Sequence, residues 1–157
     1  LFLAEPGTFF SDQDDLAGIE RFDTRDSSTR LLVRERDLGG SVTQVAVTEG
    51  CGAAIVAGPE RDVNPTWIVT FDPETGRVVS GSPAAEIATP ALGPTPGYDL
   101  QGLAWRGRTL YVGDRRRGPG GYPVHVLERS DACTLTPTAR TIEIPRRPVA
   151  LRPAKPR

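Results

Sequence analysis

The residues best suited to chemistry are charged side chains that cluster in four short stretches of the sequence. Closely spaced carboxylates can supply the oxygen ligands that a hard cation such as Ca²⁺ prefers. Consecutive arginines can make paired hydrogen bonds to phosphate or carboxylate groups. The candidate binding residues are Asp12, Asp14, Asp15, Glu60, Asp62, Asp99, Asp114, Arg115, Arg116 and Arg117. The same stretches are also compatible with charged loops that face solvent and bind nothing.

These stretches complete no familiar catalytic or cation-binding motif. The run Asp12–Asp15 lacks the glycine and the distal glutamate of an EF-hand loop. The glycines that follow Arg117 are not followed by the Lys-Ser or Lys-Thr pair of a phosphate-binding loop. His125 is the one histidine, and no Gly-x-Ser-x-Gly motif supplies a serine nucleophile. We therefore interpret His125 as a structural residue within a strand, and we assign no catalytic residue.

Charge and hydropathy argue against two classes of partner. The 157 residues include 19 Lys+Arg and 20 Asp+Glu, for a formal net charge of −1. A balanced charge argues against a nucleic-acid binder. The sequence has no apolar run of about 18 residues, so it predicts no membrane span. It also has no methionine, even at position 1, so we interpret it as a fragment of a longer chain or a processed product.

Short apolar runs bounded by Gly, Pro, Asp and Asn predict an all-β protein. Three parts of the sequence look alike, because each contains a strand, a loop and a second strand ending in an apolar-acidic pair. These pairs are Phe22-Asp23, Phe71-Asp72 and Leu127-Glu128. With the neighbouring runs, the units span roughly 1–41, 42–97 and 98–147, within a segment over 1–151 that ends in a frayed tail over 152–157. Four antiparallel strands repeated about every 50 residues predict β-propeller blades. A β-sandwich is the alternative.

The predicted connections fall into two classes at opposite ends of the strands. Turns between the first and second, and the third and fourth, strands of a unit are short. Loops between the second and third strands, and from one unit to the next, are long. All long loops therefore share one end, which we call the long-loop end, and the short turns share the other, the short-turn end. Loops on a rigid scaffold commonly carry binding sites, so the charged candidates are predicted at the long-loop end.

The two cysteines, Cys51 and Cys133, fall in short turns of different units. A disulfide requires Cα atoms within about 7 Å of each other. Because the turns belong to different blades and lie at different distances from the predicted axis, pairing is possible but not expected.

Two segments resemble a known family. The hairpin Thr70–Val79, with Gly76 in its turn, and the hairpin Asp99–Val112 resemble those of bacterial β-propeller repeat proteins of the lactonase, phytase-like and surface-repeat kind. The resemblance implies about three blades of a larger ring in a periplasmic or secreted protein. It is weak for activity, because many unrelated functions share this architecture.

From this resemblance and the loop pattern we expect a non-catalytic binding or scaffold module. It would use its long-loop end for a protein partner or a small ligand. The alternative is a metal-assisted hydrolase of the lactonase or phytase-like kind, with Ca²⁺ held by loop carboxylates. Further partners would be the remaining blades of the same protein or a second copy of the chain, because open strand edges favour association.

Overall fold

A computed structural model describes residues 1–5, 17–58, 65–81 and 92–152. Within these ranges the chain forms eleven strands and one short helix. In chain order they are β1 (Phe2–Glu5), β2 (Gly18–Asp23), β3 (Ser28–Arg34), α1 (Glu35–Leu38), β4 (Ser41–Thr48), β5 (Cys51–Ala57), β6 (Thr66–Phe71), β7 (Val78–Ser80), β8 (Leu100–Arg106), β9 (Thr109–Asp114), β10 (Tyr122–Arg129) and β11 (Leu135–Ile144).

The strands form three antiparallel sheets in which chain neighbours pair. Sheet 1 has the order β1-β2-β3, sheet 2 the order β4-β5-β6-β7, and sheet 3 runs from β8 to β11 in the same manner. The prediction of an all-β fold is confirmed. Strands β2, β6 and β9 have the predicted limits, whereas β11 begins at Leu135 instead of the predicted Ala139.

The connection from sheet 1 to sheet 2 differs from the predicted loop, because it contains one helical turn. Gly39 ends this turn in a left-handed conformation with φ of 84°, and its amide donates to the Glu35 carbonyl oxygen at 2.9 Å. Glycine adopts this conformation without a steric penalty. The buried carboxylate of Glu35 accepts a hydrogen bond from the Val42 amide at 2.9 Å. The turn thereby fixes where β4 begins.

Sheet 2 is the middle layer of the described structure. Along β5, Ala54 and Val56 pack toward sheet 1, whereas Ala53 and Ile55 pack toward sheet 3. Successive side chains of a strand point to opposite faces, so a strand covered on both faces needs apolar residues throughout. This explains why β5 is a continuous apolar run and is buried along its whole length.

The sheets contact one another chiefly through the first strand of each. Strand β4 packs beside both β1 and β8. The Trp105 indole Nε1 of β8 donates to the Ala46 carbonyl oxygen at 3.1 Å, and the Gly102 amide donates to Gln44 Oε1 at 2.7 Å. The first strands therefore form the line along which the three sheets meet.

Contacts between sheets 2 and 3 join like ends. At the short-turn end, Arg129 Nη1 donates to the Glu49 carbonyl oxygen at 2.9 Å. At the long-loop end, the Leu100 amide donates to Thr66 Oγ1 at 3.0 Å. The ends of these two sheets that carry the longer connections therefore lie side by side.

Cys51 and Cys133 form a disulfide, with Cα atoms 5.3 Å apart, which corrects the expectation that they do not pair. The reason is the close packing of sheets 2 and 3. Cys51 begins β5 on the face that packs against sheet 3, and the β10–β11 turn brings Cys133 into the same buried cluster. The disulfide therefore links the two sheets at the short-turn end.

Candidate functional site

The structure brings together the candidate residues of the second half of the chain. Asp114 ends β9, Arg115, Arg116 and Arg117 follow it directly, and Asp99 precedes β8. All five lie at the long-loop end of sheet 3. With His125, they form what we call the Asp114 cluster. The other candidates, Asp12, Asp14, Asp15, Glu60 and Asp62, lie outside the described residues.

The pairing of three strands positions this cluster. Leu100 of β8 lies opposite Asp114, and His125 of β10 lies opposite Val112. Because Asp114 is two residues beyond Val112, its side chain points to the same face of the sheet as that of His125. The Arg115 amide also donates to the Asp99 carbonyl oxygen at 2.8 Å, which continues the β8–β9 ladder beyond the strands.

The Asp114 carboxylate is the centre of the cluster. Its residue is only 1% exposed, yet it accepts hydrogen bonds from Arg116 Nη2 at 2.6 Å and from the Arg116 amide at 2.9 Å. His125 Nε2 lies 2.9 Å from Oδ2 of the same carboxylate. Burial alone would raise the pKa of Asp114, but the hydrogen bonds from His125 and Arg116 outweigh it and hold that pKa below its ordinary value. Asp114 is therefore an ionised group that orients two neighbours.

Arg116 is the arginine of the triplet that is neutralised. Its hydrogen bond to Asp114 raises the pKa of its guanidinium, and its Nε also lies 3.9 Å from Asp99 Oδ2. No acid of the described residues pairs with Arg115 or Arg117. The Arg115 Nε is buried and has no hydrogen-bond acceptor in the described part of the chain. Three guanidinium groups thus face two carboxylates, which leaves an excess of one positive charge.

His125 belongs to the cluster, which the sequence analysis did not predict. Its side chain is 27% exposed, and among the described residues nothing hydrogen-bonds to Nδ1. A carboxylate on one imidazole nitrogen orients the ring and leaves the other nitrogen available for a ligand or a proton. The signal that could have revealed this is the β9–β10 register, because His125 and Asp114 are eleven residues apart across that hairpin.

The described residues bring together no group of three or more His, Cys, Asp or Glu that could hold a metal ion. Within the Asp114 cluster, Arg116 and His125 already occupy both carboxylate oxygens of Asp114. The carboxylates predicted as Ca²⁺ ligands in the first two loops fall outside the described ranges. The Ca²⁺ site therefore stays a prediction.

Comparison of the chain with protein-family models, with curated proteins and with solved structures found no match. The class that the fold defines is an all-β protein of three antiparallel sheets. No helix of the described residues is long and apolar enough to cross a membrane.

Proposed function

We propose that this chain is a non-catalytic binding module that uses the Asp114 cluster, at the long-loop end, to hold an anionic group. The observation that carries the proposal is the charge arrangement around Asp114. This carboxylate fixes Arg116 and His125, whereas Arg115 and Arg117 have no acid partner among the described residues.

A phosphate or carboxylate group is the ligand chemistry that suits these residues. Guanidinium groups donate several hydrogen bonds in a fixed planar geometry that matches either group. The buried Arg115 Nε lacks an acceptor, and leaving a buried donor unpaired costs free energy that a bound anion would recover. The cluster also sits on a paired sheet, so little ordering is needed before binding.

The scaffold for this site is, in our proposal, a segment of a β-propeller. Three features support a propeller over a two-layer sandwich: each sheet pairs its strands in chain order, sheet 2 is covered on both faces, and the first strands lie beside each other. These features are those of blades arranged around an axis. The kinship to bacterial propellers of the lactonase, phytase-like or surface-repeat kind rests on the sequence resemblance alone.

The disulfide supports an extracytoplasmic location as part of the same proposal. Disulfides persist in secreted and periplasmic proteins and are rare in the reducing cytosol. Cys51 and Cys133 are buried and lie far from the Asp114 cluster, at the opposite end of the sheets, so their role is structural.

Titration calorimetry with inorganic phosphate and with citrate tests the binding proposal. We expect both anions to bind and the double variant Arg115→Gln/Arg117→Gln to bind about 10- to 100-fold more weakly, the loss of one or two charge-assisted hydrogen bonds. The matched control is Arg34→Gln/Arg77→Gln, which removes the same charge at two exposed sites elsewhere. Equal affinities for the two double variants would reject the assignment of the site.

A further inference from the structure

Sheet 3 has an outward face that neither of the other two sheets covers. Ala104, Tyr111, Val124 and Ile142 form an apolar floor there, within a concavity of about 370 Å³. The segment from Pro148 to Leu151 crosses one end of this face, where Leu151 contacts Gly102 and Pro148 contacts Gly113. The remainder of the floor, toward the short-turn end, is open.

Sheet 1 also has an uncovered face, on the opposite side of the molecule. Phe2 and Ala4 of β1 pack toward sheet 2, so Leu1 and Leu3 point outward and are 68% and 37% exposed. Ile19 of β2 packs toward sheet 2 as well, which places the neighbouring Glu20 outward, opposite Leu3 in the β1–β2 register. The two outer sheets therefore present apolar faces that point away from each other.

The outward face of sheet 3 matches the face of sheet 2 that is already buried within the chain. By register, Ala104 and Tyr111 correspond to Ala46 and Ala53, and Val124 corresponds to Ile68. In sheet 2, the residues at these positions pack against sheet 3. The same positions in sheet 3 thus form a surface of the kind that this chain buries beneath another sheet.

The two outward faces carry opposite charges. Arg106, Arg140 and Arg152 surround the apolar floor of sheet 3, and no acid of the described residues pairs with them. Glu20 on the outward face of sheet 1 likewise has no described ion-pair partner. Opposite unpaired charges on two apolar faces favour their contact and fix its orientation.

We infer that the outward face of sheet 3 binds the outward face of sheet 1 of a second copy of this chain. The contact is head-to-tail, and two such contacts close a ring of two copies in which each sheet packs between two others. This arrangement repeats between copies the packing that sheets 1, 2 and 3 show within one chain. It buries Leu1 and Leu3 against Tyr111 and Val124 and brings Glu20 to the arginines.

Sedimentation equilibrium of the full chain tests the inference. We expect a dimer of twice the 16.9 kDa chain mass, with no larger species as concentration rises. Leu3→Glu and Arg106→Glu/Arg140→Glu should each raise the dimer dissociation constant at least about tenfold, because each places like charges or an acid in the contact. Arg34→Glu/Arg77→Glu, with the same change in net charge at exposed sites, should leave it unchanged.

Mixing the two variants distinguishes this contact from any other dimer. Leu3→Glu keeps an intact sheet 3 face, and Arg106→Glu/Arg140→Glu keeps an intact sheet 1 face. A head-to-tail contact therefore regains one intact interface in the mixture, and we expect dimers to reappear. A monomeric wild-type chain, assemblies that grow without limit, or a mixture that stays monomeric would each overturn the inference.

Discussion

At the scale of single residues, Asp114 is the group on which the site depends. A buried carboxylate is stable only when hydrogen bonds compensate for lost solvation, and Arg116 and His125 provide them. The exchange is mutual, because the carboxylate also fixes the orientations of both partners. An exposed pair such as Arg108–Asp131 gives no comparable constraint, since solvent competes for both charges.

The variant Asp114→Asn should lower the free energy of unfolding by about 2 kcal/mol, because it weakens hydrogen bonds to a buried charged group. Urea unfolding followed by circular dichroism measures this change. Asp131→Asn is the control and should have little effect, because Asp131 is almost fully exposed. If the two variants are equally stable, Asp114 does not hold the cluster together.

The depressed pKa of Asp114 also predicts how stability depends on pH. The ionised carboxylate contributes stability that is fully present above the ordinary pKa of about 3.9 and is lost as pH falls toward the lower pKa of the folded state. Between about pH 6 and about pH 3, the free energy of unfolding of the wild type should therefore fall more steeply than that of Asp114→Asn. Parallel pH profiles for the two proteins would contradict the assignment.

The sequence predicted part of the cluster at the residue scale. Asp99, Asp114 and the arginine triplet could be placed together because a hairpin of recognisable strands separates them. His125 could not, because its contact with Asp114 depends on the β9–β10 register, which an apolar pattern of this length does not define.

At the scale of secondary structure elements, the disulfide links two turns that the sequence pattern treats as unrelated. Strand limits followed well from β-branched runs and their glycine and proline boundaries, as β6 and β9 show. The helix α1 was missed, since a single turn has too few residues for a helical period. The pairing of Cys51 with Cys133 was missed because it depends on how sheets pack, which strand patterns do not report.

Removing the disulfide should lower stability without removing the fold. We expect Cys51→Ser/Cys133→Ser to lose about 2–4 kcal/mol, since the bond closes a long loop in the unfolded chain. Thermal unfolding with and without reductant measures the effect, and the double variant itself should be insensitive to reductant. A wild-type melting temperature that reductant leaves unchanged would show that the bond does not stabilise sheets 2 and 3.

At the scale of the whole molecule, the order of the sheets determines where binding residues can meet. Sheet 2 is buried on both sides, so the ends and the two outward faces remain for contact with other molecules. The sequence predicted the all-β class and the common end of the long connections. It could not predict whether sheets close into a ring, because closure depends on angles between sheets that no local pattern encodes.

The central claim is that the long-loop end holds an anion through Arg115 and Arg117, and NMR of the arginine side chains tests it most directly. Inorganic phosphate added to isotope-labelled protein should shift the Nε–Hε signals of Arg115 and Arg117 in a saturable manner. The signals of Arg34 and Arg77 should move little. Equal shifts at all four arginines, or none at Arg115 and Arg117, would contradict the account.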